Sequence, residues 1–262
     1  HIASMASKKA EQNVVTYVTK GLQNGDPTVV GIIVAVVVVL LTIIFFAVRS
    51  RRGNKRQGIL LMGICDSGKT LMFTRLVHKK FKQSVTSVKP NSGSVSLPQV
   101  NKSLPVTDLP GHERLRTQML DDNKALARGL VFVVDSGTVL KEIKEVAEYL
   151  YTILTDRVIS QNAPPLLIAC NKQDLMLSKG AGVIQKALEK EINTLRVTQS
   201  AALQSTDSTG NNNTFLGKRD KHFAFADIKP LRVEFVECSA RGKDETGEAD
   251  LEPVLDWIVR VA

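Results

Sequence analysis

Eight residues, Gly63-Ile-Cys-Asp-Ser-Gly68-Lys69-Thr70, constrain the folding of this chain more than any other stretch. They fit the pattern G-x-x-x-x-G-K-[ST], with the short apolar run 59–62 before them and an amphipathic segment after them. A strand, a tight glycine loop and a helix are therefore expected in that order. The arrangement belongs to α/β folds in which main-chain N–H groups at a helix N-terminus face an anion. Gly63 and Gly68 permit the turns, and Asp66 and Ser67 contribute loop amides. Lys69 supplies a charge for outer phosphates, and the Thr70 hydroxyl suits Mg²⁺.

The loop alone does not name a base. A second motif, Asn171-Lys-Gln-Asp174, follows the apolar run 166–169 and so sits at the carboxyl end of a strand, where open α/β sheets bind ligands. The Asp174 carboxylate can accept from N1–H and the 2-amino group of guanine, a donor pair adenine lacks. The Lys172 stem can lie along the base with its ammonium in solvent. A third stretch, Glu237-Cys-Ser-Ala-Arg241, follows an alternating strand over 231–236. Its small Ser239 and Ala240 let a backbone N–H approach the guanine oxygen.

Asp108-Leu-Pro-Gly111-His112 completes the set at the end of a strand over 103–108. The spacing suits an aspartate that reaches Mg²⁺ through water and a Gly111 N–H that reaches a γ-phosphate. Such a turn is ordered when that phosphate is present and released when it is lost. GTP and Mg²⁺ are thus the expected ligands. His112 is a candidate for orienting a hydrolytic water, and equally a plain residue of the moving loop. Within 82–94, Thr86 is the candidate for completing the metal shell, with Ser84 and Ser87 as alternatives. Arg114 and Arg116 lie nearby, but nothing in the sequence directs either to the reaction.

Residues 29–48 are apolar apart from Gly31 and Thr42 and carry no charge. Twenty helical residues rise about 30 Å, the thickness of a bilayer's hydrocarbon core. Arg49, Arg51, Arg52, Lys55 and Arg56 follow at once, whereas Lys8, Lys9 and Lys20 before the run are sparser. Positive residues stay cytoplasmic, so the sequence predicts a single span with its N-terminus luminal and the rest cytosolic. The net charge of +9 is read as favouring a lipid surface, not sequence-specific nucleic acid. No lipid anchor is signalled. Residues 1–28 are assigned to an expression remnant and a short tail, 29–48 to the span, 49–57 to a basic linker and 58–262 to the nucleotide-binding domain. A flexible polar insert is expected around 197–228. Cys65, Cys170 and Cys238 have no metal-ligand spacing and are read as reduced, buried thiols.

In this order the four motifs resemble those of the Ras-like GTPase superfamily. The single apolar run, its basic stop, DLPGHERLR, VFVVDS, NKQD and FAFADIKPLRVEFVECSA look closer still to the β-subunit family of the signal recognition particle receptor. The resemblance implies an α/β Ras-like P-loop GTPase domain, a mostly parallel six-stranded sheet with helices on both faces, preceded by a transmembrane helix. It implies GTP-dependent docking of the receptor's α subunit at the endoplasmic reticulum membrane, and indirect service to ribosome–nascent-chain complexes. Slow hydrolysis would then end a complex and not drive a turnover enzyme. The alternative is a vesicle-trafficking GTPase of the Arf or Sar type, against which the uninterrupted apolar run counts.

Overall fold

The computed structural model describes residues 27–53, 57–81, 87, 89–204, 216–218, 220–242 and 248–262. They fall into two units, 1–55 and 56–262.

In the first unit, helix α1 runs Pro27–Gly53. It contains the whole apolar run and continues through the first arginines, so residues 49–53, the start of the expected basic linker, are helical. Its described side chains at 34–45 are exposed. That stretch is shorter than a bilayer crossing, and among the described residues no helix is long and apolar enough to cross a membrane.

The second unit is built on a six-stranded sheet in the order β2-β3-β1-β4-β5-β6. The strands are β1 Gly58–Met62, β2 Asn91–Leu97, β3 Lys102–Asp108, β4 Ala127–Asp135, β5 Leu166–Asn171 and β6 Val233–Glu237. All pairs are parallel except β2 with β3. The helices are α2 Lys69–His78, α3 Glu113–Asn123, α4 Val139–Thr155, α5 Arg157–Asn162, α6 Ala181–Gln204 and α7 Glu252–Val261.

The central strands read as unbroken apolar runs because both faces are covered. Alternate residues serve opposite layers. Leu60, Met62, Leu130, Phe132, Leu166 and Ile168 pack with α4 and α6. Ile59, Leu61, Val131, Val133, Leu167 and Ala169 pack with α2 and α7, where Trp257 is buried. Cys170 and Cys238 lie within these layers, and burial pushes the Cys170 thiol up to about 12. Cys65 differs from the sequence reading in being partly exposed, because it sits in the glycine loop and not in a strand.

Both ends of the segment expected to be a flexible insert, 197–228, have defined structure. Helix α6 extends to Gln204, and 205–215 lie outside the described residues. Beyond them the chain is packed, with Leu216, Phe223 and Phe225 all buried. Phe225 meets Phe223 and Phe235 edge-on, each at 5.2 Å between ring centroids. Arg196 of α6 donates to the carbonyls of Leu216, Lys218 and Lys221, and Asn193 and Glu189 accept from the amides of Phe223 and Phe225. Two phenylalanines in a polar sequence supply the apolar burial that fixes this segment.

Candidate nucleotide site at the carboxyl edge of the sheet

The loop between β1 and α2 turns back at once. Gly63 has φ 140°, and a Cβ there would lie 2.3 Å from the Val133 carbonyl oxygen of β4. No side chain could be accommodated without displacing the central strand. Asp66 (φ 58°) and Gly68 (φ 89°) are left-handed, and Gly68 caps α2 without any side-chain acceptor. The first N–H groups of α2 therefore have no capping side chain and can meet an anion. The Ser67 hydroxyl donates to the Ile64 carbonyl at 3.0 Å. The Lys69 ammonium turns inward, donating to the same carbonyl at 2.5 Å and to the Ser67 hydroxyl at 3.3 Å. Burial lowers the pKa of Lys69, opposed by the negative charge of Asp108 and by Cys65 and Asp66.

Beside it stands an oxygen-rich corner. Thr70 donates to Asp108 Oδ2 at 2.8 Å and lies 3.3 Å from the Ser87 hydroxyl. Asn91 Nδ2 donates to Asp108 Oδ2 at 3.1 Å and to Ser87 Oγ at 3.2 Å. Asp108 is fully buried, and its Oδ1 has no hydrogen-bond partner among the described residues. Burial raises the Asp108 pKa, opposed by Asn91, Thr70 and Lys69. A buried carboxylate oxygen left open next to two hydroxyls is a set of hard oxygen donors, which fits Mg²⁺. Among the described residues there is no cluster of three His, Cys, Asp or Glu side chains that could hold a metal by themselves. Mg²⁺ here would need oxygens from a bound phosphate or water. Thr86 and Ser84 lie outside the described residues, whereas the alternative, Ser87, reaches this corner.

Gly111 packs directly on the phosphate loop. A Cβ on it would lie 2.7 Å from Lys69 Nζ and 2.8 Å from the Cys65 nitrogen and the Gly63 oxygen. His112 is the N-cap of α3, its Nδ1 accepting from the Arg114 amide at 3.4 Å, and its ring is exposed. Arg116 is not available to a reacting phosphate. It is buried, paired with Glu145 at 2.8 Å and stacked over Tyr149 at 4.8 Å.

The motifs at 171–174 and 237–241 converge on Asn171. Its Nδ2 donates to the Ser67 carbonyl at 2.9 Å, and its Oδ1 accepts from the Ala240 amide at 2.9 Å. One buried side chain thus ties the phosphate loop, the end of β5 and the loop after β6. Arg75 of α2 adds a second link, donating to the Ala240 and Arg241 carbonyls. Ser239 donates to Asp174 Oδ1 at 2.5 Å and accepts from the Gly242 amide at 2.9 Å, leaving Asp174 exposed toward solvent.

Lys172 is held from the side by Asp135, 2.6 Å away. The Gly137 and Thr138 amides also donate to Asp135. Against the burial that would raise it, the Lys172 ammonium and these amides hold the Asp135 carboxyl below the usual range. Asp135 and Asn91 were not singled out from sequence. Each ends or begins a strand, and its role depends on which strand lies beside it.

The comparisons with known proteins agree with this geometry. A family profile described as "Signal recognition particle receptor beta subunit" matches residues 54–232. A curated human protein, "Signal recognition particle receptor subunit beta", is 47% identical over 92% of this chain and 89% of its own length. A chain of the solved "Structure of the Mammalian SRP Receptor" is 44% identical, with a TM-score of 0.69, and covers 79% of this chain and 100% of its own. A Chaetomium thermophilum structure, described as a signal recognition particle receptor SRb-GTP/SRX complex, shares the fold. It is 22% identical, with a TM-score of 0.60, over 77% of this chain and 98% of its own.

Proposed function

The chain belongs to the signal recognition particle receptor β-subunit family, and on that premise we propose that it is a membrane-anchored GTP switch. In this reading the GTP-loaded domain docks the receptor's α subunit at the endoplasmic reticulum and so serves ribosome–nascent-chain complexes indirectly. The observation that carries it is Asn171, whose amide joins the base-reading loops to the phosphate loop. The human relative, matched over nine-tenths of the chain, supports this family over the Arf or Sar reading.

For the described residues, position supports each proposed role. Backbone amides of Gly63, Asp66, Ser67 and Gly68 surround the phosphates, and Lys69 must give up its contact with the Ile64 carbonyl to reach them. The Thr70 hydroxyl, with Thr86 or Ser87, would hold Mg²⁺, and Asp108 would support it through water. The ion would supply neutralisation of phosphate charge. Gly111 N–H meets the γ-phosphate. Asp174, set by Ser239, reads the guanine edge, with Lys172 along the ring and Ala240 N–H at the guanine oxygen.

His112 is a weak candidate for water positioning, since one ring nitrogen already caps α3. That favours slow hydrolysis and a binding role. The run 29–48 is proposed to cross the bilayer with the domain cytosolic, supported by its length, its lack of charge and the helical state of α1.

The test is recovery of the α subunit on the chain loaded with a GTP analogue or with GDP. Recovery only with the analogue is expected, and equal recovery overturns the gating. Single-turnover hydrolysis near the ~10 s⁻¹ of ordinary enzymes would instead make it a turnover catalyst.

A further inference from the structure

The parallel strands give the second unit two unlike edges. The carboxyl edge holds the site described above. At the amino edge, where β4, β5 and β6 begin, lies a cleft of about 700 Å³ bordered by Arg128, Arg232, Arg260, Pro230 and Trp257. Its three guanidinium groups come from β4, from the residue before β6 and from the last turn of α7. Arg232 is exposed. Arg260 pairs with Glu234 at 2.6 Å, the one acidic side chain among the described residues lining the cleft. Arg128 donates to the Val261 carbonyl and to the Ala262 oxygen.

Of the nearby acids, Asp227 is paired with Lys218, and Asp121 and Asp156 share the single ammonium of Lys124. Lys102, at the start of β3, lies on the same edge and donates to the Ala262 oxygen at 2.9 Å.

We propose that this amino edge is a docking surface for the phosphate headgroups of an anionic bilayer. Three arginines around one concave site suit phosphate, because guanidinium groups bind its oxygens in pairs. A lipid source is favoured over soluble phosphate or RNA by chain order. Strand β1 begins on this same edge at Gly58, and only residues 54–57 separate it from the end of α1. The arginines of that junction precede it directly. The inference rests on the membrane-spanning reading of 29–48. A basic residue near an anionic leaflet shifts the docking equilibrium by about fivefold.

The experiment uses the full chain in lipid nanodiscs and the fluorescence of Trp257, the only tryptophan in the sequence. The discs contain phosphatidylcholine with a spin-labelled headgroup, with or without phosphatidylserine. Phosphatidylserine is expected to increase quenching of Trp257. Arg232→Ala is expected to lower the docked-to-undocked ratio about fivefold, and Arg232→Glu by more, with nucleotide dissociation unchanged in both. Quenching indifferent to phosphatidylserine overturns the proposal. So does loss of the phosphatidylserine effect in millimolar inorganic phosphate, which would mark a soluble-anion site. Binding of an RNA oligonucleotide to neutral discs that Arg232→Glu abolishes would reassign the edge to nucleic acid. Release from lipid by alkaline carbonate would overturn the spanning reading itself. Retention without a phosphatidylserine effect overturns the docking alone.

Discussion

Asn91 and Asp108 face each other across the antiparallel pair β2–β3, with Asn91 Nδ2 3.1 Å from Asp108 Oδ2. The first residue of β2 thus steadies the last residue of β3. Replacing Asn91 with alanine removes a donor to a carboxylate that burial already pushes toward its protonated form. Mg²⁺ affinity of the nucleotide complex should fall by about tenfold or more, the usual cost of losing a partner of a metal-binding carboxylate. Titration of Mg²⁺ against release of a fluorescent GDP analogue measures this, and an unchanged midpoint would separate Asp108 from the metal.

Asn171→Ala strands a buried amide at Ala240 and a buried carbonyl at Ser67. Each orphaned group costs about 1–3 kcal/mol, so urea unfolding should show a loss of about 2–4 kcal/mol. Nucleotide should dissociate faster in the same variant. Loss of nucleotide without loss of stability would contradict the fastening role.

Asp174→Asn replaces one acceptor oxygen of the carboxylate with a donor. A site shaped to accept two hydrogen bonds rejects a mismatched ligand by a factor on the order of 10⁴. GDP affinity should collapse and xanthosine diphosphate should bind in its place, as isothermal titration with each nucleotide would report. The fold should persist, because Asp174 is exposed.

Asp135 gives a pH-dependent prediction. Against burial, which would raise it, the Lys172 ammonium and the Gly137 amide hold its carboxyl below the usual carboxylate range. A depressed carboxylate contributes stability that is fully present above the unfolded value and lost as pH falls through the folded one. The stability gap between the wild type and Asp135→Asn should be constant near neutrality and shrink below pH 3.8. Denaturation midpoints of both proteins across that range decide it, and a gap that widens on acidification would have the wrong sign.

Gly111→Ala places a methyl 2.8 Å from the main chain of the phosphate loop. GDP binding should survive with modest weakening. Docking of the α subunit with a GTP analogue should fall to the GDP level, because the turn can no longer approach the loop. Full docking by this variant would show that Gly111 does not transmit the nucleotide state.

Much of this was legible in the sequence because the four motifs are local. Gly63 to Thr70 must turn wherever the strand and helix lie, and Asn171 to Asp174 must fall at a strand end. The apolar runs gave the central strands, since a parallel strand covered on both faces leaves no alternation to misread. What stayed hidden depends on neighbours distant in sequence. Asn91 matters only because β2 turns back in register on β3. Asp135 matters only because β5 lies beside β4 and delivers Lys172. The packed segment after 216 was masked by its polar composition. Its order comes from Phe223 and Phe225 meeting Phe235, and from Arg196 collecting carbonyls along the segment.

The position of Asn171 has a consequence for how such a protein can evolve. A single buried amide fastens two loops that are distant in the chain, so drift at this position should be punished through fragility before ligand choice is altered. Exposed Asp174 carries no such burden, and a lineage that changes its nucleotide should therefore change there and keep Asn171.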